Sequence, residues 1–317
     1  MDYVIDPYYY NIYFYIVKLL NIIILLNYYI LTFSYNMDIH ENTKQRKIIN
    51  NKYLVLDKIN NGCFGNIYKG INKLTHKYVA IKTEPINSEF TFLKNETKIY
   101  NLLKGSIGIP SVKWFGKDNE CYYMVLDLLG LSLQEIIQNK GKLPLILVLK
   151  IGIKILDILN TLHNKGFIHR DIKPHNFLLN KDMNQIFLVD LGFCKKYIIN
   201  NEHRPMKNTY NMVGSKNYAS INSHKCIELS RRDDLESLGY ILLFLYNGFL
   251  EWNHINNEEQ ILTIKEKIIY KTKETNYPDI LLKFIKHVRF IKYNEQPNYY
   301  FIMEMFTEKI HKLKNEK

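Results

Sequence analysis

One short segment of the sequence, Ile168-His-Arg-Asp171-Ile-Lys173-Pro-His-Asn176-Phe-Leu-Leu179, carries polar side chains at spacings suited to phosphoryl transfer. Asp171 can accept the proton of an attacking hydroxyl group and orient its oxygen in line with phosphorus. Lys173 can neutralise charge on the phosphoryl group, and Asn176 can supply an amide oxygen to magnesium. Because such a combination in one loop rarely arises by chance, it predicts a phosphoryl-transfer site, with Asp171 and Lys173 as its catalytic residues.

A second candidate metal ligand follows fourteen residues after Asn176. Asp190-Leu191-Gly192 comes directly after an apolar run at 186–189 that reads as a strand. An aspartate followed by a glycine is often a simple turn. Its distance from Asn176 instead favours a carboxylate that binds a phosphate-bridging magnesium ion.

A lysine closes another apolar strand, in Val79-Ala-Ile-Lys82. Its ammonium group could reach the α- and β-phosphates of a nucleotide if a carboxylate oriented it. Glu96, fourteen residues later on the following predicted helix, is the candidate for that role. A lysine at a strand end is usually an ordinary surface residue, so the interpretation depends on the glycine-containing hairpin before it.

That hairpin has the sequence INNGCFGNI over residues 59–67. Glycines allow a backbone to approach phosphates closely, and a flexible hairpin can cover them. Taken alone, the segment would be an ordinary hairpin turn. With the other motifs, it predicts nucleotide contacts at Ile59, Asn60, Asn61, Gly62, Cys63, Phe64, Gly65, Asn66 and Ile67.

The elements that must position these residues change along the chain from strands to helices. The patterns predict strands at 53–59, 66–70, 77–82, 109–115 and 122–128, a turn at 60–62 and a helix at 90–103. Later segments predict helices at 145–165, 233–247 and 258–273. Strands followed by helices indicate an α+β fold with two lobes, here 53–128 and 129–317.

Composition narrows the class of protein. The 317 residues are 47% hydrophobic and 23% charged, which is typical of a globular chain with an ample core. The net charge of +12 fits acidic protein partners or phosphate-bearing ligands. The lysines are dispersed and no zinc-finger spacing occurs, so specific nucleic-acid binding is not expected. Four widely spaced cysteines without a C-x-x-C pair fit a reducing compartment such as the cytosol.

The first 36 residues form a hydrophobic extension, followed by a polar lead-in at 37–52 and the main domain at 53–317. Residues 8–35 carry a single charge, Lys18, and as a helix would span roughly 40 Å, enough to cross a bilayer of about 30 Å. The positive residues that follow would place the main domain on the cytoplasmic side. Interrupting asparagines and the fresh polar start at Met37 support a dispensable extension instead. Membrane anchor and dispensable extension both stay open.

With these residues described, the sequence resembles the protein kinase superfamily, and more specifically the casein kinase 1 family, over residues 53–306. The motifs that carry the resemblance are Gly108-Ile-Pro110, Leu128-Leu-Gly130, Phe167-Ile-His-Arg-Asp-Ile-Lys-Pro174, Tyr218-Ala-Ser-Ile-Asn222 and Ser230-Arg-Arg-Asp-Asp-Leu-Glu-Ser-Leu-Gly-Tyr240. The resemblance implies a monomeric, cytoplasmic serine/threonine kinase that uses ATP and Mg²⁺. Its substrates would be proteins with serine or threonine, including acidic ones.

The same resemblance implies roles for residues around the adenine base. Leu126 would be the gatekeeper, Asp127 and Leu129 would offer backbone hydrogen bonds, and Leu178 would form the floor of the pocket. Asp234 would brace the catalytic loop. Lysine at position 173 implies serine/threonine specificity.

The sequence departs from the casein kinase 1 pattern at several positions. Asn60 replaces the first glycine of the hairpin, and Leu191 replaces a phenylalanine. Asn217 stands where the family has an arginine of its phosphate pocket, and acidic Glu258 and Glu259 occupy a loop that is usually basic. These changes argue against a preference for substrates that already carry a phosphate.

Three classes of function are compatible with these features. An active kinase is favoured over a pseudokinase scaffold, because Lys82, Glu96, Asp171, Asn176 and Asp190 are all present. A membrane receptor or structural membrane protein would depend only on the first 36 residues. It would require an extracellular domain, which is unexpected for an ATP enzyme with free cysteines.

Overall fold

The computed structural model describes residues 46–62, 65–88, 92–270 and 276–316. The chain divides into one unit at Met1–Lys47 and a second at Ile48–Lys317, and the second unit contains the strands and helices of the described residues. The hydrophobic extension at 1–36 lies outside the described residues, so its two interpretations stay predictions. Within the described residues, no helix combines the length and apolar character that crossing a bilayer requires.

The first lobe is built on a six-stranded antiparallel sheet. Its spatial order is β1-β2-β3-β4-β6-β5. The strands are β1 (Ile48–Ile49), β2 (Tyr53–Gly62), β3 (Gly65–Asn72), β4 (Tyr78–Pro85), β5 (Val112–Lys117) and β6 (Cys121–Asp127).

Alternation along β4 and β6 separates the two faces of this sheet. Val79 and Ile81 pack with Tyr123 and Val125 in a small core on one face. Successive residues of a strand point to opposite faces. Lys82, which pairs with Met124 in the register, therefore faces the other side, towards the helix and the second lobe.

Helix α1 (Phe92–Leu102) covers that second face. The buried carboxylate of Glu84 accepts hydrogen bonds from the backbone amides of Phe92 (3.0 Å) and Leu93 (2.6 Å), which satisfies two of the amides that a helix start leaves free. Leu93, Glu96 and Tyr100 recur at helical spacing and are all buried. Glu96 is therefore directed towards β4.

The second lobe is mainly helical. Its helices are α2 (Leu133–Lys140), α3 (Leu145–Asn164), α4 (Ile221–His224), α5 (Arg231–Asn247), α6 (Glu258–Ile268), α7 (Asp279–Phe290) and α8 (Tyr299–Asn315). Helix α3 packs closely against α5 and α8 at Gly152, where an added Cβ would lie 3.0 Å from Phe306 and 3.3 Å from Leu242. Nearly every side chain of α5 is buried, which makes it the centre of this lobe.

Short strands between α3 and α4 flank the motif residues. They are β7 (Phe167–Ile168), β8 (Phe177–Leu179), β9 (Ile186–Leu188), β10 (Lys195–Lys196), β11 (Ile198–Ile199) and β12 (Glu202–His203). Strand β8 pairs with β9, and β7 with β10. The pairing of β8 and β9 holds the segment after Asn176 beside the segment before Asp190.

The predicted two-lobed α+β fold is confirmed, with local corrections. The turn predicted at 60–62 is wrong, because β2 continues to Gly62 and pairs Asn60 with Ile67. The predicted strand at 109–115 begins only at Val112, since Pro110 has no amide hydrogen for the ladder. Helix α6 ends at Ile268, before the predicted end at 273.

Candidate active site

A cleft of about 770 Å³ lies between the sheet and the helical lobe. The sheet, α1 and the short strands of the second lobe all contribute to its walls. Most of the predicted nucleotide, metal and catalytic residues line it: Ile59, Asn60, Asn61, Ile67, Lys82, Glu96, Asp127, Leu129, Lys173, Asn176, Leu178 and Asp190.

Both strands of the hairpin contribute described residues to the cleft, whereas the glycine at the start of β3 does not. Gly65 and Asn66, in β3, are not among the lining residues, and 63–64 lie outside the described residues. A Cβ at Gly65 would lie 1.7 Å from the carbonyl oxygen of Thr83 on the neighbouring strand. This glycine is therefore required for the close approach of two strands, whatever it does for a phosphate.

Lys82 joins two carboxylates from different elements. Its Nζ donates to Glu96 Oε2 at 2.7 Å and to Asp190 Oδ1 at 2.8 Å. Glu96 is 1% exposed and Lys82 is 7% exposed, so the contacts are shielded from water. The sequence-predicted pair of Lys82 and Glu96 is thus in contact, and Asp190 completes the group.

The charges of these three side chains determine the protonation states of Lys82 and Asp190. Burial alone would lower the pKa of the Lys82 ammonium, but the charges of Glu96 and Asp190 outweigh burial and raise it. Burial alone would raise the pKa of the Asp190 carboxyl, but the charge and hydrogen bond of Lys82 outweigh that effect and lower it. Asp190 is therefore an anion at neutral pH, as a ligand for a divalent cation must be.

The backbone around Asp190 is held by α1. Asp190 has a left-handed conformation, with φ of 62°, which places its carboxylate towards Lys82. Its amide donates to the Tyr100 hydroxyl at 3.1 Å, and the Leu191 amide donates to Glu96 Oε1 at 3.2 Å. Tyr100 was not among the predicted site residues; its place one helical turn after Glu96 was the available signal.

Asp171 is held in place by three donors. Lys173 Nζ donates to its Oδ2 at 2.6 Å, while the backbone amide and the hydroxyl of Ser215 donate to its Oδ1 at 3.0 and 2.8 Å. Asp171 is 4% exposed and lies just behind Lys173 and Ser215, which both line the cleft. Ser215 was also missed by the sequence reasoning, although it lies three residues before the Tyr218-Ala-Ser-Ile-Asn222 motif.

Asp234 braces the catalytic loop from α5, as the resemblance implies. Its carboxylate accepts the backbone amides of His169 at 2.7 Å and Arg170 at 2.9 Å, and it contacts His163 Nε2 at 2.9 Å. Arg170 has a positive φ of 70°, a costly conformation for a residue other than glycine. The two hydrogen bonds to Asp234 help to maintain it.

The donor set fits a magnesium ion. Asp190 offers a carboxylate to the cleft, and Asn176 uses its Nδ2 to donate to the Asp171 carbonyl at 2.9 Å, which leaves its Oδ1 as an acceptor. Magnesium in phosphoryl-transfer sites is commonly held by one or two protein oxygens together with substrate phosphates. Among the described residues there is no cluster of three or more His, Cys, Asp or Glu side chains suited to a metal.

The fold and the cleft define a nucleotide-dependent phosphotransferase of the two-lobed class. The family model of the protein kinase domain matches residues 53–312, which is most of the chain. The chain therefore belongs to the protein kinase domain family. This family implies ATP as the phosphate donor, a divalent metal, usually Mg²⁺, as the cofactor, and proteins as the substrates.

Proposed function

We propose that the chain is an active serine/threonine protein kinase of the casein kinase 1 type, monomeric and cytoplasmic. It transfers the γ-phosphate of ATP to serine and threonine hydroxyls of protein substrates, including acidic ones. The observation that supports this most strongly is the set of four polar groups that line one cleft, Lys82, Glu96, Asn176 and Asp190, with Asp171 directly behind the lining residues Lys173 and Ser215.

The chain's own residues divide the work of a direct in-line transfer. Asp171 orients the attacking hydroxyl and takes its proton as the new oxygen–phosphorus bond forms and the bond to ADP breaks. Lys173, bonded to the Asp171 carboxylate, neutralises charge on the transferring group. Asp190 and Asn176 would hold Mg²⁺, which would neutralise negative charge on the phosphates.

The nucleotide base is assigned to the apolar end of the cleft. Leu126 and Leu178 line it from the two lobes, and residues 127–129 connect those lobes along its edge. Leu126 is the gatekeeper, Leu178 forms the floor, and Asp127 and Leu129 supply backbone hydrogen bonds to the adenine edge. Lys82 then reaches the α- and β-phosphates, with Glu96 orienting its ammonium group.

The substrate side of the cleft favours proteins without a prior phosphate. Asn217, which replaces the family's arginine, donates to Asn253 Oδ1 at 3.4 Å, and the Lys216 ammonium donates to Asn256 Oδ1 at 3.3 Å. Asparagine amides are neutral and cannot replace an arginine as a partner of a phosphate dianion. The remaining charge of Lys216 suits an acidic side chain of the substrate.

The decisive experiment compares the wild type with Asp171→Asn in the transfer of radiolabelled phosphate from ATP to dephosphorylated casein. We expect the variant to lose at least about 10²-fold in kcat, because the amide cannot accept the hydroxyl proton. Asp182→Asn, an exposed aspartate in the turn between β8 and β9, is the matched control and should keep full activity.

The competing function is a pseudokinase scaffold that binds nucleotide without turnover. It predicts that the wild type binds ATP, measured by calorimetry with Mg²⁺, yet labels casein no faster than Asp171→Asn does. Equal labelling by the wild type and Asp171→Asn would therefore overturn the proposal. A phospho-primed and an unprimed acidic peptide, tested side by side, decide the substrate preference.

A further inference from the structure

Lys265, on helix α6, is a fully buried lysine that none of the catalytic roles explains. Its side chain is 0% exposed. Among the described residues it takes part in no ion pair, unlike Lys82, which is buried beside two carboxylates. Burying an ammonium group costs free energy unless its hydrogens find partners. The partners of Lys265 therefore indicate why it is placed there.

Those partners belong to the chain between the catalytic loop and helix α5. Lys265 Nζ donates to the carbonyl oxygens of Lys216 at 2.8 Å and Ala219 at 2.7 Å, and contacts His224 Nε2 at 3.0 Å. An ammonium group has three hydrogens. The three contacts use all of them, and two go to the backbone of a single loop, residues 215–219.

Aromatic rings enclose the same ammonium group. The nitrogen lies 4.7 Å from the ring centre of Tyr240 and 5.4 Å from that of Trp252. Contacts of a cation with aromatic faces offset part of its desolvation. Trp252 also donates its indole N–H to the Asn217 carbonyl at 2.8 Å, so ring and ammonium hold the same loop.

The position of Lys265 is itself fixed by a group of contacts centred on Arg289. Arg289 on α7 donates to the Lys265 carbonyl at 2.8 Å and to the Tyr240 hydroxyl at 2.8 Å. It also pairs with Glu236 of α5 at 2.8 Å. Helices α5, α6 and α7 thus hold Lys265 firmly in place.

The loop 215–219 faces the cleft on its other side. Ser215, Lys216, Asn217 and Tyr218 all line the cleft beside Lys173. Ser215 donates twice to the Asp171 carboxylate, at 3.0 and 2.8 Å. A displacement of this loop would therefore alter both the surface that meets a protein substrate and the group that orients the substrate hydroxyl.

We propose that Lys265 is a positioning residue for protein substrate: it fixes the backbone of the loop 215–219 against helices α5 and α6 without touching nucleotide. This inference depends on the proposed function for its kinetic consequence only. Protein-substrate binding and phosphoryl transfer to protein are the steps that the loop controls. In the proposed function, ATP is bound by other residues that line the cleft, including Leu126, Leu129 and Lys82.

The test replaces Lys265 by methionine, which keeps an unbranched side chain of similar length but removes the donors. We expect the KM for dephosphorylated casein to rise about tenfold, corresponding to about 1.4 kcal/mol, while the KM for ATP stays unchanged. Lys267→Met, an exposed lysine on the same helix, is the matched control and should change neither constant.

A second measurement reports the local stability of the loop 215–219 and does not require catalysis. Amide hydrogen exchange at Tyr218 and Ala219, whose amides donate to the Ser215 carbonyl, should accelerate in Lys265→Met, while exchange in β4 and β6 stays as in the wild type. Trp252→Phe, which keeps an aromatic ring but loses the N–H to Asn217, should change exchange and casein KM in the same direction. It supplies a second variant if Lys265→Met does not fold.

The outcomes separate the two proposals. Unchanged casein KM and unchanged exchange in both variants would overturn the role of Lys265. A uniform acceleration of exchange with parallel rises in both KM values would also overturn it, because that pattern indicates general destabilisation. If the wild type transfers no phosphate at all, the proposed function fails, and exchange at 218–219 alone decides whether Lys265 holds the loop.

Discussion

Two buried lysines show how strongly the surroundings of a side chain determine its chemistry. Lys82 lies between Glu96 and Asp190, and their charges raise the pKa of its ammonium group despite burial. Lys265 is buried beside backbone carbonyls and aromatic rings, and burial lowers its pKa well below the ordinary value. The first is suited to holding phosphates as a permanent cation, whereas the second serves as a donor to a loop.

His224 gives a prediction about acid stability. Burial, together with the charge of Lys265, lowers its pKa from 6.5 to about 4. The folded protein therefore binds fewer protons at this site than the unfolded chain does between those values. The stability that His224 contributes is complete above pH 6.5 and is lost as the pH falls through about 4.

We therefore expect the free energy of unfolding in urea to fall between pH 7 and pH 4, and His224→Gln to reduce that fall. The glutamine retains an acceptor oxygen for Lys265 but cannot take up a proton in this range. His254→Gln, at an exposed histidine, is the control. An identical pH dependence in wild type and His224→Gln would contradict the assignment of a neutral, accepting imidazole.

At the scale of elements, two separate parts of the chain hold the catalytic loop in place: helix α5 and the segment before α4. The carboxylate of Asp234, on α5, holds the amides of His169 and Arg170. The segment before α4 approaches the same loop from the other side, where Gly214 has φ of 96°. An added Cβ on Gly214 would lie 2.6 Å from the Arg170 carbonyl oxygen. Two elements thus confine the catalytic loop between them.

The added methyl group of Gly214→Ala should push the backbone at position 214 away from Arg170. Ser215 and Asp171, which are hydrogen-bonded to each other, should move as a result. We expect kcat for casein to fall by at least about 10²-fold, since small displacements of reacting groups have effects of this size. Gly105→Ala is a matched control, because Gly105 also has a positive φ, of 81°, but no atom lies within 4 Å of the added Cβ. That control should lose about 1 kcal/mol of stability and retain its activity. Equal activity in the two variants would show that the contact with Arg170 is unimportant.

At the scale of the whole molecule, the unit Ile48–Lys317 contains the sheet, the helical lobe and the cleft between them. The protein kinase domain match covers 53–312, which lies within that unit. The helical lobe has one continuous apolar core that includes α3, α5 and α7. A core of this extent is sufficient for independent folding of a domain.

We expect a chain of residues 37–317 to be soluble and to phosphorylate casein at the full-length rate. Expression of the truncated and full-length chains, followed by membrane fractionation and the casein assay, tests this expectation. A truncated chain that fails to fold would mean that the first 36 residues have a structural task. Full-length protein in the membrane fraction, with the truncated chain absent from it, would support the anchor.

The proposed chemistry of this protein was predicted from short stretches of sequence, because each motif places several candidate groups within a few residues. Asp171, Lys173 and Asn176 share one loop, so their proximity needed no knowledge of the fold. Five of the six strands of the sheet and helices α1, α3, α5 and α6 also followed from local periodicity. Boundaries such as the end of β2 at Gly62 did not, since pairing with β3 decides them.

Contacts between distant parts of the chain were decided by the tertiary structure alone. Lys82 and Asp190 are 108 positions apart, and Lys265 is 46 from Ala219, yet each pair lies within hydrogen-bond distance. Tyr100 and Ser215 had only their positions near predicted motifs as a signal, and the contacts of Lys265 had none. The sequence determines which side chains are available, whereas tertiary packing, within a lobe and between the lobes, determines which of them are in contact.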